Sequence, residues 1–307
     1  MATQTDNIRF IVTGFGPFRG VPVNPTTVLV KTLRNYLLGQ KPDEHPLLVQ
    51  LARQTRTILL ETSAEDVQRQ IQQIAFDEEQ QQQRTNRGAD DNNYSQNTNN
   101  HPNNSILILI HLGVDSNATT FRLEQCAYNT NDFRVPDERG YQPRQECIVR
   151  SHPLDTPFET LLNIPELLTQ LTTTTTTNSS TDAPIIDQSP VVLSDDPGRF
   201  VCNYTYATSL TQFKCYHNTT LDGSNNDDDD GSTNTKETFT SNQQSTPVRS
   251  LFVHVPPFEV IPERDQLIFL GRLMEAIYRQ VLVDNSSSKQ RGSRKRSAHI
   301  NCTLINE

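Results

Sequence analysis

The chain has 307 residues, a formal net charge of −9, no tryptophan and a hydrophobic fraction of 34%. The acidic balance argues against a broad nucleic-acid surface, and no apolar stretch approaches the roughly 20 residues that span a bilayer. Five widely spaced cysteines without a C-x-x-C pair fit neither a disulfide framework nor a zinc site, and we expect no metal and no cofactor. The N-terminus lacks a basic and apolar leader, so we expect a cytoplasmic protein.

The first half of the chain alternates predicted strands with predicted helices. The predicted strands are 8–12, 47–51, 57–60 and 105–113. Asn24 and Pro25 predict a helix start, because asparagine suits the N-cap and proline the first helical position. Ser63 and Asp66 form a capping-box pattern that predicts a second helix. The run at 105–113 is continuously apolar, which is typical of a strand buried on both faces.

The second half continues the alternation. Strand-like pieces lie at 123–128, and 158–171 has a helical pattern in which Pro165 kinks or restarts the helix. A short apolar run at 191–193 precedes a turn at 195–198 and a helix that extends to about residue 216. A strand at 251–255 ends in two prolines, and 264–283 is the clearest amphipathic helix.

Three polar segments interrupt this pattern. Residues 77–104, 172–189 and 217–247 read as disordered low-complexity insertions, and 285–307 as a polar, basic tail. The remaining residues suit one domain within 1–284. Alternating strands and helices predict a three-layer α/β/α fold with a mainly parallel, twisted sheet.

Cys202 follows the predicted turn and opens the next helix. Backbone N–H groups and the positive end of a helix dipole favour thiolate over thiol at such a position, as a nucleophile requires. A cysteine taken alone is more often a small buried hydrophobe. A catalytic role for Cys202 therefore requires a base and an acid elsewhere in the sequence.

Four segments in order together resemble the type I pyroglutamyl peptidases, a family of cysteine peptidases. The segments are TGFGPF with VNP at 13–25, GVDSNATTFRLEQCAYN with DFRVPDERGYQP at 113–143, SDDPGRFVCNYTYATSL at 194–210, and FVHVPPF at 252–258. The resemblance implies a catalytic triad in which Cys202 is the nucleophile, His254 the base and Glu124 the acid that orients the imidazole. Each of the three has an ordinary structural explanation when it is taken singly.

The resemblance also implies a substrate and the residues that bind it. The substrates would be peptides with an N-terminal pyroglutamyl (5-oxoproline) residue, whose flat and neutral ring needs apolar walls. Phe15 and Phe18 match the aromatic residues that lie beside the ring in the family, and Phe200 lies next to the nucleophile. Arg134 matches a family arginine, and the resemblance leaves three roles open for it: support of the oxyanion, support of the site loop, or a structural ion pair.

Two residues depart from the family pattern. Val114 stands where bacterial members often have glutamine, and Gln125 replaces a basic residue that is common after the catalytic glutamate. These departures affect fine substrate contacts. Two alternatives stay open at this point: another Cys-His-acid amide hydrolase, and a non-catalytic interaction protein that uses the polar insertions and the basic tail. The sequence predicts no nucleic-acid or membrane partner and leaves the oligomeric state open.

Overall fold

The computed structural model describes residues 8–90, 105–173, 190–217 and 246–300. The strands are β1 (Ile8–Phe15), β2 (Thr55–Leu60), β3 (Ile106–Val114), β4 (Phe121–Glu124), β5 (Cys126–Tyr128), β6 (Pro157–Thr160), β7 (Val191–Ser194), β8 (Tyr216–His217) and β9 (Val248–Val255). The helices are α1 (Pro25–Leu38), α2 (Pro46–Arg53), α3 (Ala64–Asp90), α4 (Ile164–Thr172), α5 (Val201–Gln212) and α6 (Glu263–Ile300).

Six strands form the central sheet in the order β2-β1-β3-β9-β4-β7. β2, β1, β3 and β9 are parallel, and β4 and β7 run together in the opposite direction, so β9 and β4 form the antiparallel junction. A second, antiparallel sheet has the order β5-β6-β8. The prediction of a mainly parallel sheet is confirmed.

Helices cover both faces of the central sheet. One apolar cluster joins α1, α2, α4 and α6 to alternate residues of β1, β3 and β9, while the second joins α3 and α5 to the residues between them. β3 is buried over almost its whole length, since its side chains pack into both clusters in turn. The three-layer prediction is therefore confirmed.

Several local predictions were wrong. Residues 47–51 form helix α2 and not a strand, because Pro46 starts a helix in which Leu48, Leu51 and Ala52 share one buried face. Residues 158–160 belong to strand β6, and the helix begins only at Ile164, with Pro165 in its first turn. α5 ends at Gln212, four residues before the predicted end.

The boundaries of the polar segments also differ from the prediction. Helix α3 continues through residues 77–90, and α6 continues through 285–300, so neither range is an irregular segment. His217 belongs to β8, and residues 246–247 lead into β9. Thr172 is the last residue of α4 and Thr173 is its C-cap. The rest of the three predicted insertions lies outside the described residues, as do 301–307. Within the described ranges, no helix combines the length and the apolar character needed to cross a membrane.

Candidate active site

The predicted base lies at the carboxyl end of β9. His254 is the second-last residue of that strand and pairs in register with Gly113 of β3 on one side and Arg122 of β4 on the other. Because β4 runs antiparallel to β9, its last residue, Glu124, lies opposite Phe252 and below the imidazole. Strand direction thus places Glu124 and His254 on one face of the sheet.

Glu124 and His254 form a buried pair. The Oε1 atom of Glu124 lies 2.7 Å from Nδ1 of His254, and the Glu124 side chain is fully buried. Burial alone lowers the pKa of His254, but the hydrogen bonds and charges of Cys202 and Glu124 outweigh it and raise that pKa to about 10. The imidazolium form is therefore favoured at neutral pH.

Cys202 lies in the first turn of α5, as predicted. The turn before it is held by Gly198, whose φ of +77° suits glycine and whose backbone N–H donates to Oδ1 of Asp196. N–H groups in the first turn of a helix lack intrahelical acceptors and can receive a developing negative charge. The sulfur lies directly over Gly113, since a Cβ at that glycine would stand 3.0 Å from Sγ.

A single cavity of about 510 Å³ collects the predicted residues. Of the predicted site residues, those that line it are Phe15, Phe18, Arg134, Phe200, Cys202 and His254. Glu124 is absent from the lining because it lies behind His254, away from the opening. The structure therefore brings together all seven residues that the sequence singled out.

Aromatic side chains form one wall of this cavity. The Phe18 and Phe200 rings lie 6.5 Å apart, and Phe133, which is fully buried, packs edge-on against Phe200 at 4.8 Å. Phe133 belongs to the segment 113–143, but no role was predicted for it. Phe133 contacts Phe200 only because the turn at 195–198 brings two distant parts of the chain together, so no local sequence pattern could predict this contact.

Arg134 lies on the exposed rim of the cavity. Its guanidinium makes no ion pair with any residue that the structure describes, so the structural ion pair considered above has no partner there. Arg134 is thus available to a ligand in the cavity.

The other described cysteines lie outside the cavity. Cys126 lines a separate cleft, where its thiol donates to the backbone oxygen of Asp195 at 3.4 Å. Burial raises the pKa of Cys126 and raises that of Cys215 to about 12, so both stay thiols at neutral pH. Cys147 is exposed on the surface, and Cys302 lies outside the described residues.

Comparisons with known proteins identify relatives of this chain. Pyroglutamyl-peptidase 1 from Homo sapiens and from Mus musculus are each 26% identical to the chain over 272 residues, which cover 89% of the chain and 88% of the relative. The crystal structure of pyroglutamyl peptidase I from Bacillus amyloliquefaciens matches with a TM-score of 0.54 at 17% identity, over 88% of the chain and 96% of that structure. The structural match shows a shared fold. No protein-family model matches. By its sequence over most of its length, the chain is a homologue of the pyroglutamyl-peptidase 1 proteins.

Proposed function

We propose that the protein is a cysteine peptidase that removes an N-terminal pyroglutamyl residue from peptides. The observation that carries this proposal is the buried Glu124–His254 pair beside the Cys202 sulfur in a cavity with an aromatic wall. The curated relatives, which are named pyroglutamyl-peptidase 1, support the same reaction.

The reaction would proceed by acyl transfer. The Cys202 thiolate attacks the carbonyl carbon between pyroglutamate and the next residue, and the carbonyl oxygen takes the negative charge. The backbone N–H of Cys202 and its neighbours in the first turn of α5 stabilise this oxyanion. The imidazolium of His254 then donates its proton to the leaving nitrogen, so the C–N bond breaks and the shortened peptide departs.

Hydrolysis of the thioester completes the cycle. Neutral His254 takes a proton from a water molecule, and the resulting hydroxide attacks the acyl carbon. The C–S bond breaks, pyroglutamate leaves, and Cys202 returns as a thiolate beside a protonated imidazole. Glu124 holds Nδ1 throughout, which leaves Nε2 of His254 for both proton transfers.

The cavity suits a flat and neutral ring. Phe15, Phe18 and Phe200 offer apolar surface, and no charged side chain is needed for a lactam. A site that binds pyroglutamate needs hydrogen-bond partners for the lactam N–H and C=O. A prolyl ring has no lactam carbonyl, so these partners in the site would stay unpaired with a prolyl substrate. We therefore expect strong discrimination against proline at the N-terminus.

Three aminomethylcoumarin amides test the proposal. We expect the wild-type protein to release the fluorophore from the pyroglutamyl amide and to be at least about 10³-fold slower on the prolyl and glutaminyl amides. Preference for the glutaminyl amide would instead indicate a glutamine amidase. Absence of any cleavage by folded protein would contradict an enzymatic role.

A further inference from the structure

A charged pair lines the active-site cavity beside His254. The Nη1 atom of Arg122 lies 2.8 Å from Oδ2 of Asp115, and both residues border the cavity. Neither Arg122 nor Asp115 takes part in the proposed acyl-transfer steps. Their position relative to the reacting groups suggests a role in binding the substrate.

Four strands place the cavity residues in a row. Phe15 ends β1 and Gly113 lies in β3, each of them two residues beyond the paired Thr13 and His111. Gly113 pairs with His254 of β9, and His254 pairs with Arg122 of β4. At the carboxyl ends of β1, β3 and β9 and on β4, the order across the sheet is therefore the Phe15 ring, Gly113 beneath the Cys202 sulfur, the His254 imidazole and the Arg122 guanidinium.

The proposed reaction fixes how the substrate lies along this row of residues. The pyroglutamyl ring occupies the aromatic end, the scissile carbonyl lies over Cys202, and the leaving nitrogen must reach His254 to receive its proton. The next part of the substrate is the residue that departs with that nitrogen. Continuing along the row, this residue lies over β4, where it meets Arg122.

Arg122 is held in place and keeps hydrogen-bond donors free. Oδ1 of Asp115 accepts from the backbone N–H of Asn117, and the backbone N–H of Asp115 donates to Val255, so the aspartate is fixed to the end of the sheet. Asp115 is the one ion-pair or hydrogen-bond partner of the Arg122 guanidinium within the described part of the chain. Most of the N–H donors of this planar fork are therefore available to an acceptor in the cavity.

The charges around the cavity favour an anion. Three arginines and two aspartates line it. Both aspartates are engaged, Asp115 by Arg122 and Asp196 by Arg199, whereas the guanidinium groups of Arg19 and Arg134 form no ion pair with a described residue, and Arg19 contacts Glu138 only through its backbone N–H. The cavity thus presents unneutralised guanidinium groups to a substrate.

We infer that Arg122, oriented by Asp115, binds the first residue of the departing peptide and favours a carboxylate side chain there. The inference rests on the proposed function and adds a preference for acidic residues directly after pyroglutamate. Arg122 acts as a specificity determinant, since it contacts the leaving residue and not the reacting atoms.

A matched pair of substrates tests this inference. Pyroglutamyl-glutamate amide and pyroglutamyl-glutamine amide have nearly the same shape, and the terminal amide removes the main-chain carboxylate. We expect the wild-type protein to show a higher kcat/KM for the glutamate substrate, and Arg122→Gln to reduce the ratio of the two values about tenfold, as expected for a charge-assisted hydrogen bond that stays partly exposed.

The control is Arg56→Gln, which removes another ion-paired arginine on a strand that does not line the cavity. Its ratio should equal that of the wild type. If Arg122→Gln fails to fold, the wild-type ratio at low and high salt decides, because screening must lower it. If neither Arg122→Gln nor salt changes the ratio of kcat/KM for the two substrates, the inference is overturned. Cleavage of both substrates would still support the proposed function. Cleavage of neither would overturn both.

Discussion

Two buried histidines on neighbouring strands differ in their charge. Burial lowers the pKa of His111 to about 3, and its Nδ1 atom lies 2.8 Å from the Thr13 hydroxyl, a neutral partner. His254 is also buried, yet its pKa is raised to about 10 because Cys202 and Glu124 offset the burial. A buried histidine in this sheet is thus charged only where an anionic partner faces it.

Glu124→Gln tests that contrast. The substitution removes the charge that stabilises the imidazolium and permits the wrong tautomer, and a corresponding change in serine proteases costs about 10⁴-fold in kcat. We expect kcat/KM on the pyroglutamyl amide to fall by about 10²- to 10⁴-fold. Circular dichroism should show that the fold is retained.

The pH profile of kcat/KM gives a second readout of the same pair. The pKa of His254 is raised above its ordinary value of 6.5, so the imidazolium persists through neutral pH and is lost as the pH rises towards about 10. The alkaline limb of the wild-type profile should therefore lie well above pH 7, and that of Glu124→Gln at lower pH. An alkaline limb in the wild type near pH 6.5 would contradict the assignment.

Gly113 sets how close the Cys202 sulfur comes to the sheet. A Cβ there would lie 2.7 Å from Cζ of Phe252, which is fully buried and cannot yield, and 3.0 Å from Sγ of Cys202. We expect Gly113→Ala to displace the sulfur and lower kcat by about 10²-fold, because misplacement of about 1 Å has such effects.

Gly271→Ala is the control for that substitution. Its Cβ would make ordinary contacts of 3.4 Å or more with Leu48 and Leu37, far from the cavity. It should leave kcat unchanged. Equal effects of the two variants would show that Gly113 has no special role in placing Cys202.

At the scale of elements, one side chain connects helix α5, which carries Cys202, to the second sheet. Asn203, in the first turn of α5 and fully buried, accepts from the backbone N–H of Tyr128 and donates to the carbonyls of Tyr128 and Thr130. Removal of its amide would leave three backbone groups without this partner, two on the partly buried Tyr128 and one on the buried Thr130. The position of Cys202 therefore depends on the contact between α5 and β5.

Asn203→Ala should lower the free energy of unfolding by about 3 kcal/mol, since each buried group left without a partner costs about 1–3 kcal/mol. Asn163→Ala removes an exposed N-cap of α4 and should cost only about 1 kcal/mol. Urea denaturation of both variants measures the difference. Equal losses would mean that the Asn203 contacts contribute no more than an ordinary cap.

Local patterns predicted the elements unevenly. The turn before Cys202 and the start of α1 were predicted because glycine, asparagine and proline have backbone preferences that act locally. The short apolar run at 47–51 was misassigned, because it fits a buried strand and a one-sided helix equally well, and its packing against other helices decides. Resemblance, and not periodicity, identified Glu124 and His254.

The role inferred for Arg122 had no sequence signal. It depends on the register between β9 and β4, and that register follows from the antiparallel placement of β4 in a mainly parallel sheet. Alternation of strands and helices predicts a sheet but not the order or direction of its strands. Tertiary information was needed to bring Asp115 and Arg122 to the cavity.

At the scale of the whole molecule, strands β3 and β9 both begin at the edge of the sheet opposite the candidate site. In the sequence, residues 91–104 precede β3 and residues 218–245 precede β9, whereas the candidate site lies at the carboxyl ends of these strands.

Replacement of residues 218–245 by a short glycine-serine linker should therefore leave kcat/KM on the pyroglutamyl amide within about threefold of the wild type, because a change in loop length costs little free energy. Loss of activity by a folded variant would show that this segment takes part in the reaction. Retained activity would argue against the alternative in which the polar segments carry the function.

The proposed function depends on Cys202 being the nucleophile for the pyroglutamyl group. The most direct measurement is release of aminomethylcoumarin from its pyroglutamyl amide by the wild type, Cys202→Ala and Cys126→Ala, with thermal unfolding as the check on folding. We predict that Cys202→Ala stays folded and loses at least about 10³-fold in kcat/KM, while Cys126→Ala stays close to the wild type. Substantial activity in folded Cys202→Ala, or its loss in Cys126→Ala alone, would contradict the account.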